Sequence, residues 1–325
     1  MAIAVSAHSE FSLIKQYFEQ ITTERSDVIL GIGDDCALLQ CPEGQQLAVS
    51  IDTLVEGIHF FPDVDPESLG HKSLAVGLSD LAAMGATPAW FTLALTLPKV
   101  DTDWLAAFSK GLANLAKSHN IALVGGDTTQ GPLSISIQVH GFVNAGLALR
   151  RDGAKKGDWV YVTGSLGDAG AALALKQNKL SNSAFSVDDV QFLYQRLERP
   201  SPRVEIGKIL VGIASTAIDI SDGLVADLGH ILQKSGVGAR LDLDLLPLSP
   251  VLSKLTAEAE QLALYSGDDY ELCFTVPLEY DELLQQQLKG QCIRIGTITD
   301  TDGIAFIKNN QLIELTGTSY EHFST

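Results

Sequence analysis

Five segments share one local design, in which a short apolar run breaks into Gly, Ser and Asp: DVILGIGDD (27–35), LAVSID (47–52), IALVGGDTT (121–129), TAIDISDG (216–223) and LALYSGDD (262–269). Apolar runs of this length bounded by turn residues read as strands, so the chain is expected to build strands that end in carboxylates. Helical periods lie between them. The clearest covers 66–84, with Asp65 as N-cap, Pro66 in the first turn and Gly85 at the exit. A second covers 102–118, and LSISIQVHGFV (133–143) alternates as a half-buried strand. Strands that follow strands as well as helices favour an α+β fold over a doubly wound parallel sheet.

A length of 325 residues accommodates two domains. The stretch 144–158 gathers Arg150, Arg151, Lys155 and Lys156 with three glycines, which places the boundary near 148. Residues 1–148 and 149–325 are the two expected domains. Beyond the boundary, DWVYVTGSLGDAGAALAL (158–175) reads as strand, glycine turn and helix, the start of a second α/β unit.

Charge narrows the function classes. With 22 Lys+Arg against 40 Asp+Glu the net charge is −18, which repels nucleic acid and anionic membrane surfaces, so neither is expected as a partner. Of the acidic residues 25 are Asp, which suits turns, caps and metal sites more than helix surfaces. The N-terminal stretch has no basic segment followed by a long apolar run, and no apolar stretch approaches a membrane span, so a cytoplasmic location is expected. Cys36, Cys41, Cys273 and Cys292 have no metal-site spacing and read as reduced thiols.

The familiar nucleotide loops are missing: there is no G-x-x-x-x-G-K-[ST] and no G-x-G-x-x-G opening a helix after a strand. Gly164, Gly167 and Gly170 either admit a phosphate to a helix N-terminus or, more commonly, let strand and helix pack closely. The carboxylates say more. Asp34 and Asp35 are adjacent after a glycine turn, which suits either a solvated turn or a cation site. Asp52, at the end of LAVSID, is either an Asx-turn or the facial neighbour of Ser50. Asp80 has Val76, Gly77, Ala83 and Met84 at its helical neighbours, and a carboxylate on that apolar side needs a compensating cation. Asp127, in GGDTT, and the pair Asp219 and Asp222, in AIDISDG, repeat the glycine-carboxylate turn; for Ser221 and Asp222 a helix N-cap before LVADLGHIL is the plainer role. Hard oxygen donors without a His or Cys cluster suit Mg²⁺ and argue against zinc.

The segments GIGDDCALL (31–39), SIDTLVEGIHF (50–60), SDLAAMGA (79–86), GGDTT (125–129), AIDISDGL (217–224), GDDYELCF (267–274) and SYEHF (319–323) together resemble the thiamine-monophosphate kinase family, in order, from about residue 10 to 323. That family is related to aminoimidazole-ribonucleotide synthetase and selenophosphate synthetase. The resemblance implies an α+β protein with an N-terminal mixed α/β domain that forms a homodimer and binds Mg²⁺ and ATP, and a C-terminal α/β domain that completes the active site. It implies transfer of the γ-phosphoryl of ATP to thiamine monophosphate, with several Mg²⁺ ions.

Carried over by motif, the implied metal ligands are Asp35, Ser50, Asp52, Asp80, Asp127, Asp219 and Asp222, with Asp34 acting through water. Gly126, Asp127, Arg151 and Ser221 fall where the family contacts ATP, and Asp222, Asp127 and Arg151 where catalysis is expected. His59, Asp268 and Tyr320 fall where it holds the thiamine substrate. Two departures stand out: Ile51 replaces a usual Thr, removing a hydroxyl, and Asp268 replaces a usual Glu, shortening the reach by one methylene. Another ATP-using member of the superfamily is disfavoured because no cysteine sits in an N-terminal glycine loop. A protein that only stores a divalent ion would bind metal without nucleotide dependence.

Overall fold

The computed structural model describes residues 10–21, 23–255, 258–315, 317 and 319. The chain divides into two compact units. The first comprises the residues up to Leu81 together with Ala86–Gly146, and the second Ala82–Gly85 with the chain from Leu147 onward.

In the first unit a short helix, α1 (Glu10–Leu13), is followed by the paired strands β1 (Val28–Leu30) and β2 (Leu38–Leu39) and by the long strand β3 (Gln45–Val55). The helix α2 (Pro66–Ala83) comes next, then β4 (Thr87–Leu97), α3 (Thr102–Ser118), β5 (Ala122–Gln130) and β6 (Ser134–Asn144). The sheet order is β3-β6-β4-β5, antiparallel except for β4 with β5. Both long helices start where side chains offer the exposed amides an acceptor: Asp65 takes the Ser68 N–H at 2.8 Å and Asp101 takes that of Trp104 at 3.1 Å. The inner face of α2 buries Leu74, Leu78 and Leu81 completely or nearly so, and its Gly77 lies against Val139 of β6. A smaller cluster holds Trp90 edge-on to Phe142, with Ala122, Val124 and residues of β1 and β2 around them.

β3 alternates along its length. Leu47, Val49, Ile51 and Thr53 are exposed, while Ser50, Asp52 and Leu54 point to the better covered face. Asp52 therefore does not end a strand, as LAVSID suggested. Thr53, Leu54 and Val55 continue the ladder opposite Ser136, Ile135 and Ser134, so an Asx-turn is excluded. Asp127 is likewise not on a turn: it lies inside β5, paired with Ala94 in a parallel ladder that runs to Gln130.

In the second unit β7 (Trp159–Thr163) leads into α4 (Asp168–Lys176), then α5 (Val187–Glu198), α6 (Val204–Leu210) and β8 (Thr216–Asp219). The chain continues through α7 (Leu224–Ser235), β9 (Gly238–Asp242), α8 (Ala259–Tyr265), β10 (Leu272–Val276), α9 (Asp281–Leu288), β11 (Cys292–Thr299), β12 (Ile304–Lys308) and β13 (Gln311–Ile313). The seven strands are ordered β13-β12-β9-β11-β7-β10-β8, all antiparallel pairs but β12 with β9. The core packs Ile218 and Ile220 with Leu228 and Ile231 of α7 and with Val160, Val162, Cys273 and Ile295 of the sheet.

Of the five segments, LALYSGDD is the one whose apolar run forms no strand. Its apolar run closes α8 instead of forming a strand, because Leu and Ala without β-branching favour helix and Ala263 and Leu264 are fully buried from it. The α+β class holds for both units. Among the described residues no helix is long and apolar enough to cross a membrane.

Candidate functional site

The first unit brings three of the sequence-derived metal candidates together. Ser50 and Asp52 share a face of β3, and Asp80 reaches them from α2, where it accepts a hydrogen bond from the Ser50 hydroxyl. One oxygen of Asp52, Oδ2, is buried without a hydrogen-bond partner. Burial, and after it the charge of Asp80, push the Asp52 carboxyl up to about 7. Two carboxylates and a hydroxyl facing one another in this way fit a small divalent cation, which would satisfy the orphan oxygen and offset the repulsion. Mg²⁺ ordinarily takes one or two carboxylates and fills its other positions with water and substrate phosphate. Among the described residues no group of three or more His, Cys, Asp or Glu side chains converges as a metal site.

The other candidates of this unit lie in an exposed turn, within β5 and in the turn after β3. Asp34 and Asp35 occupy an exposed turn in which the Asp35 N–H donates to Asp34 Oδ1 at 2.8 Å. Gly126 and Asp127 are exposed on β5, and a Cβ at Gly126 would collide with the Leu93 carbonyl, so glycine is required where the strands approach. His59 is half-buried in the turn after β3, oriented by the Val55 N–H that donates to its Nδ1 at 3.1 Å.

In the second unit two turns lie side by side. Asp219 is buried at the end of β8, and Ser221 and Asp222 follow it, half-buried. The N-cap expected of Ser221 or Asp222 is not made. Gly223 stands at the cap position without a side-chain bond, and Asp227, one turn into α7, reaches back so that its Oδ2 accepts the N–H groups of Ser221 (3.0 Å), Asp222 (3.0 Å) and Gly223 (3.1 Å). Burial, with the charge of Asp222, pushes the Asp227 carboxyl up to about 7 against the pull of these amides.

The neighbouring turn carries Asp268. Its N–H donates to the Ser221 carbonyl at 2.9 Å, the Tyr270 N–H donates to Ile220 at 2.8 Å, and the Ile220 N–H donates to Glu271 at 2.8 Å. Gly267 makes this approach sterically feasible, since a Cβ there would strike the Ser221 carbonyl. Asp268 and Tyr270 both adopt the left-handed conformation, at φ 67° and 49°. Tyr320 lies outside the described residues.

Behind these turns is a buried ionic network. Glu271 is fully buried and accepts from Thr163 Oγ1 (2.6 Å), from Arg203 Nε and Nη2 (2.6 and 2.5 Å) and from Arg196 Nη2 (3.0 Å). Asp269, also buried, accepts the Gly167 N–H at 2.8 and 3.1 Å, and burial holds its carboxyl well above the usual range. That bond occupies the N-terminus of α4 with a carboxylate. A Cβ at Gly164, Gly167 or Gly170 would meet Glu271, the Ala263 backbone or Ser266, so these glycines serve close packing. Arg151 is exposed on a segment fastened beside β8, where Arg150 accepts the Ala217 N–H at 3.2 Å and Ser235 Oγ donates to the Arg151 carbonyl at 2.9 Å.

Sequence reasoning gave no part to Asp227, Asp269, Glu271, Arg196 or Arg203. A usable signal was present in Tyr270-Glu271-Leu272, where a carboxylate at the start of an all-buried strand demands cationic partners.

Residues 33–143 match the family described as AIR synthase related protein, N-terminal domain, and residues 155–309 match its C-terminal domain. The chain is similar to thiamine-monophosphate kinase of Escherichia coli K12, with 52% identity over 98% of this chain and 99% of the relative. Among solved structures, thiamine-monophosphate kinase from Stenotrophomonas maltophilia K279a superposes with a TM-score of 0.84 at 47% identity, covering 90% of this chain and 95% of that one. AaThiL complexed with AMPPCP and TMP superposes with a TM-score of 0.76 at 30% identity, covering 99% and 100%.

Proposed function

The chain belongs to the thiamine-monophosphate kinase family of AIR synthase-related proteins, and from that membership we propose the reaction it performs and the residues that perform it. The protein phosphorylates thiamine monophosphate with ATP, giving thiamine diphosphate. The observation that carries this is the 52% identity to the E. coli enzyme through 98% of the chain.

The acceptor is itself a phosphate, largely ionised near neutral pH, so no strong general base is needed. Repulsion between the acceptor and the triphosphate is the main obstacle to bringing them in line. Mg²⁺, when bound, neutralises and aligns the phosphates. The residues proposed to hold several such ions are Asp35, Ser50, Asp52, Asp80, Asp127, Asp219 and Asp222, and the partnerless buried oxygen of Asp52 beside Asp80 supports that role.

Gly126, Asp127, Arg151 and Ser221 are proposed to contact ATP, Arg151 adding a fixed positive charge to the transferring group. His59, Asp268 and Tyr320 are proposed to hold thiamine monophosphate, the aromatic ring of Tyr320 by face contact. Residues 1–148 would carry the dimer contacts and the first set of metal and ATP ligands, with 149–325 carrying the remainder. A homodimer is supported by the exposed Leu47, Val49 and Ile51 along one face of the edge strand β3.

Incubation with ATP, Mg²⁺ and thiamine monophosphate is expected to yield thiamine diphosphate and ADP in equal amounts. Folded protein that releases no thiamine diphosphate beside a working control enzyme would overturn the reading. Tyr320→Ala is expected to raise the KM for thiamine monophosphate with kcat largely kept; a pure kcat loss would remove the stacking role.

A further inference from the structure

Three consecutive amides that converge on one point form a concave donor set of the kind that elsewhere receives a phosphate or another anion. The turn Ser221–Gly223 has this geometry, and its anion is a side chain of the same chain. Asp227 Oδ2 lies 3.0, 3.0 and 3.1 Å from the three nitrogens, and the residue is only 3% exposed. Their amides engaged in this way, Ser221 and Asp222 are half-buried. Backbone groups join the same turn to its neighbour: Ser221 accepts from Asp268, and Ile220 accepts from Tyr270. Both donors belong to left-handed residues, a conformation that needs its surroundings to hold it.

We propose that Asp227 is a positioning residue for both turns, orienting Ser221 and Asp222 directly and, through the Ser221 carbonyl, the backbone that carries Asp268. Its kinetic consequence rests on the kinase reading above; its structural consequence does not. A residue that fixes metal-binding and substrate-binding groups through their backbone lowers activity by roughly 10–100-fold when removed.

The test compares wild type, Asp227→Ala and Asp227→Asn by hydrogen exchange of the ligand-free proteins and by steady-state kinetics. In Asp227→Ala the amides of Ser221, Asp222 and Gly223 are expected to exchange faster, and that of Asp268 with them. kcat is expected to fall roughly 10–100-fold and the KM for thiamine monophosphate to rise. Asp227→Asn keeps an acceptor oxygen and is expected to recover part of each effect. A role confined to stability would lower Tm while leaving exchange at Asp268 and the KM unchanged, and that result would overturn the proposal. If Asp227→Ala does not fold, Asp227→Asn decides: faster exchange at 221–223 and at Asp268 supports the proposal, and wild-type exchange there defeats it. Absence of thiamine diphosphate with the wild-type protein would defeat the kinase reading and leave the exchange result standing.

Discussion

Asp52 and Glu271 are both carboxylates withdrawn from water, one in each unit, and their surroundings are opposite. Glu271 is met by two guanidinium groups and a threonine hydroxyl, with both oxygens engaged. Asp52 has an oxygen with no hydrogen-bond partner and another carboxylate, Asp80, beside it. A buried charge with matched partners can hold a backbone in place; one without them is a liability to folding that a proton or an added cation removes. The second unit thus uses a buried carboxylate as scaffold. The first holds one whose buried oxygen has no hydrogen-bond partner.

If that contrast is sound, neutralising each carboxylate should move stability in opposite directions. Glu271→Gln leaves Arg196 and Arg203 without their countercharge and is expected to destabilise the protein by about 3 kcal/mol, the low end for a broken buried pair because Arg203 is partly exposed. Urea unfolding measures this, and a wild-type midpoint would mean that the arginines do not depend on Glu271. Asp222→Asn and Asp52→Asn should keep the fold and lose turnover by on the order of a hundredfold, since each removes charge from a phosphate-aligning site. Near-normal turnover in either would contradict the ligand role.

At pH 8 in EDTA, where Asp52 is ionised, Asp52→Asn should be more stable than wild type by about 1 kcal/mol, the gain from removing a charge that burial and Asp80 disfavour. Mg²⁺ should then raise the Tm of wild type more than that of the variant. A variant that melts lower in EDTA would show that the pair is not repulsive. The smallest expected effect concerns the thiols. Cys36 and Cys41 are exposed in the first unit, while Cys273 and Cys292 are buried in the second. Burial pushes Cys292 up to about 11 and Cys273 higher still, so at pH 8 both remain thiols. A disulfide reagent should titrate the exposed pair in native protein and the buried pair only after unfolding; quick loss of all four would contradict the packing.

The helices 66–84 and 102–118 were readable because their signals are local: Asp65 and Asp101 lie beside the amides they cap. The strand ends were less so. Asp52 and Asp127 looked like turn residues because each closes a short apolar run, the second through Gly125 and Gly126, yet pairing with β6 and β4 carries both strands onward. LALY was misleading in the other direction, since a four-residue apolar run does not distinguish strand from helix by itself. Of the candidate site, Ser50, Asp52 and Asp80 share one locus, which period-2 alternation on β3 and the apolar face of α2 together allowed. The supporting groups were not legible. Glu271 meets Arg196 across 75 positions and Arg203 across 68, and no local spacing encodes such a pairing.

The alternation of β3 has a consequence for how this chain can vary. Its eleven residues put Ser50 and Asp52 on one face and Leu47, Val49 and Ile51 on the other. Inserting or deleting a single residue between Gln45 and Ser50 would shift the pairing by one place and exchange the faces. The carboxylate would then turn toward the apolar stripe, and isoleucine toward Asp80. Length changes in this strand should therefore be tolerated only in steps of two.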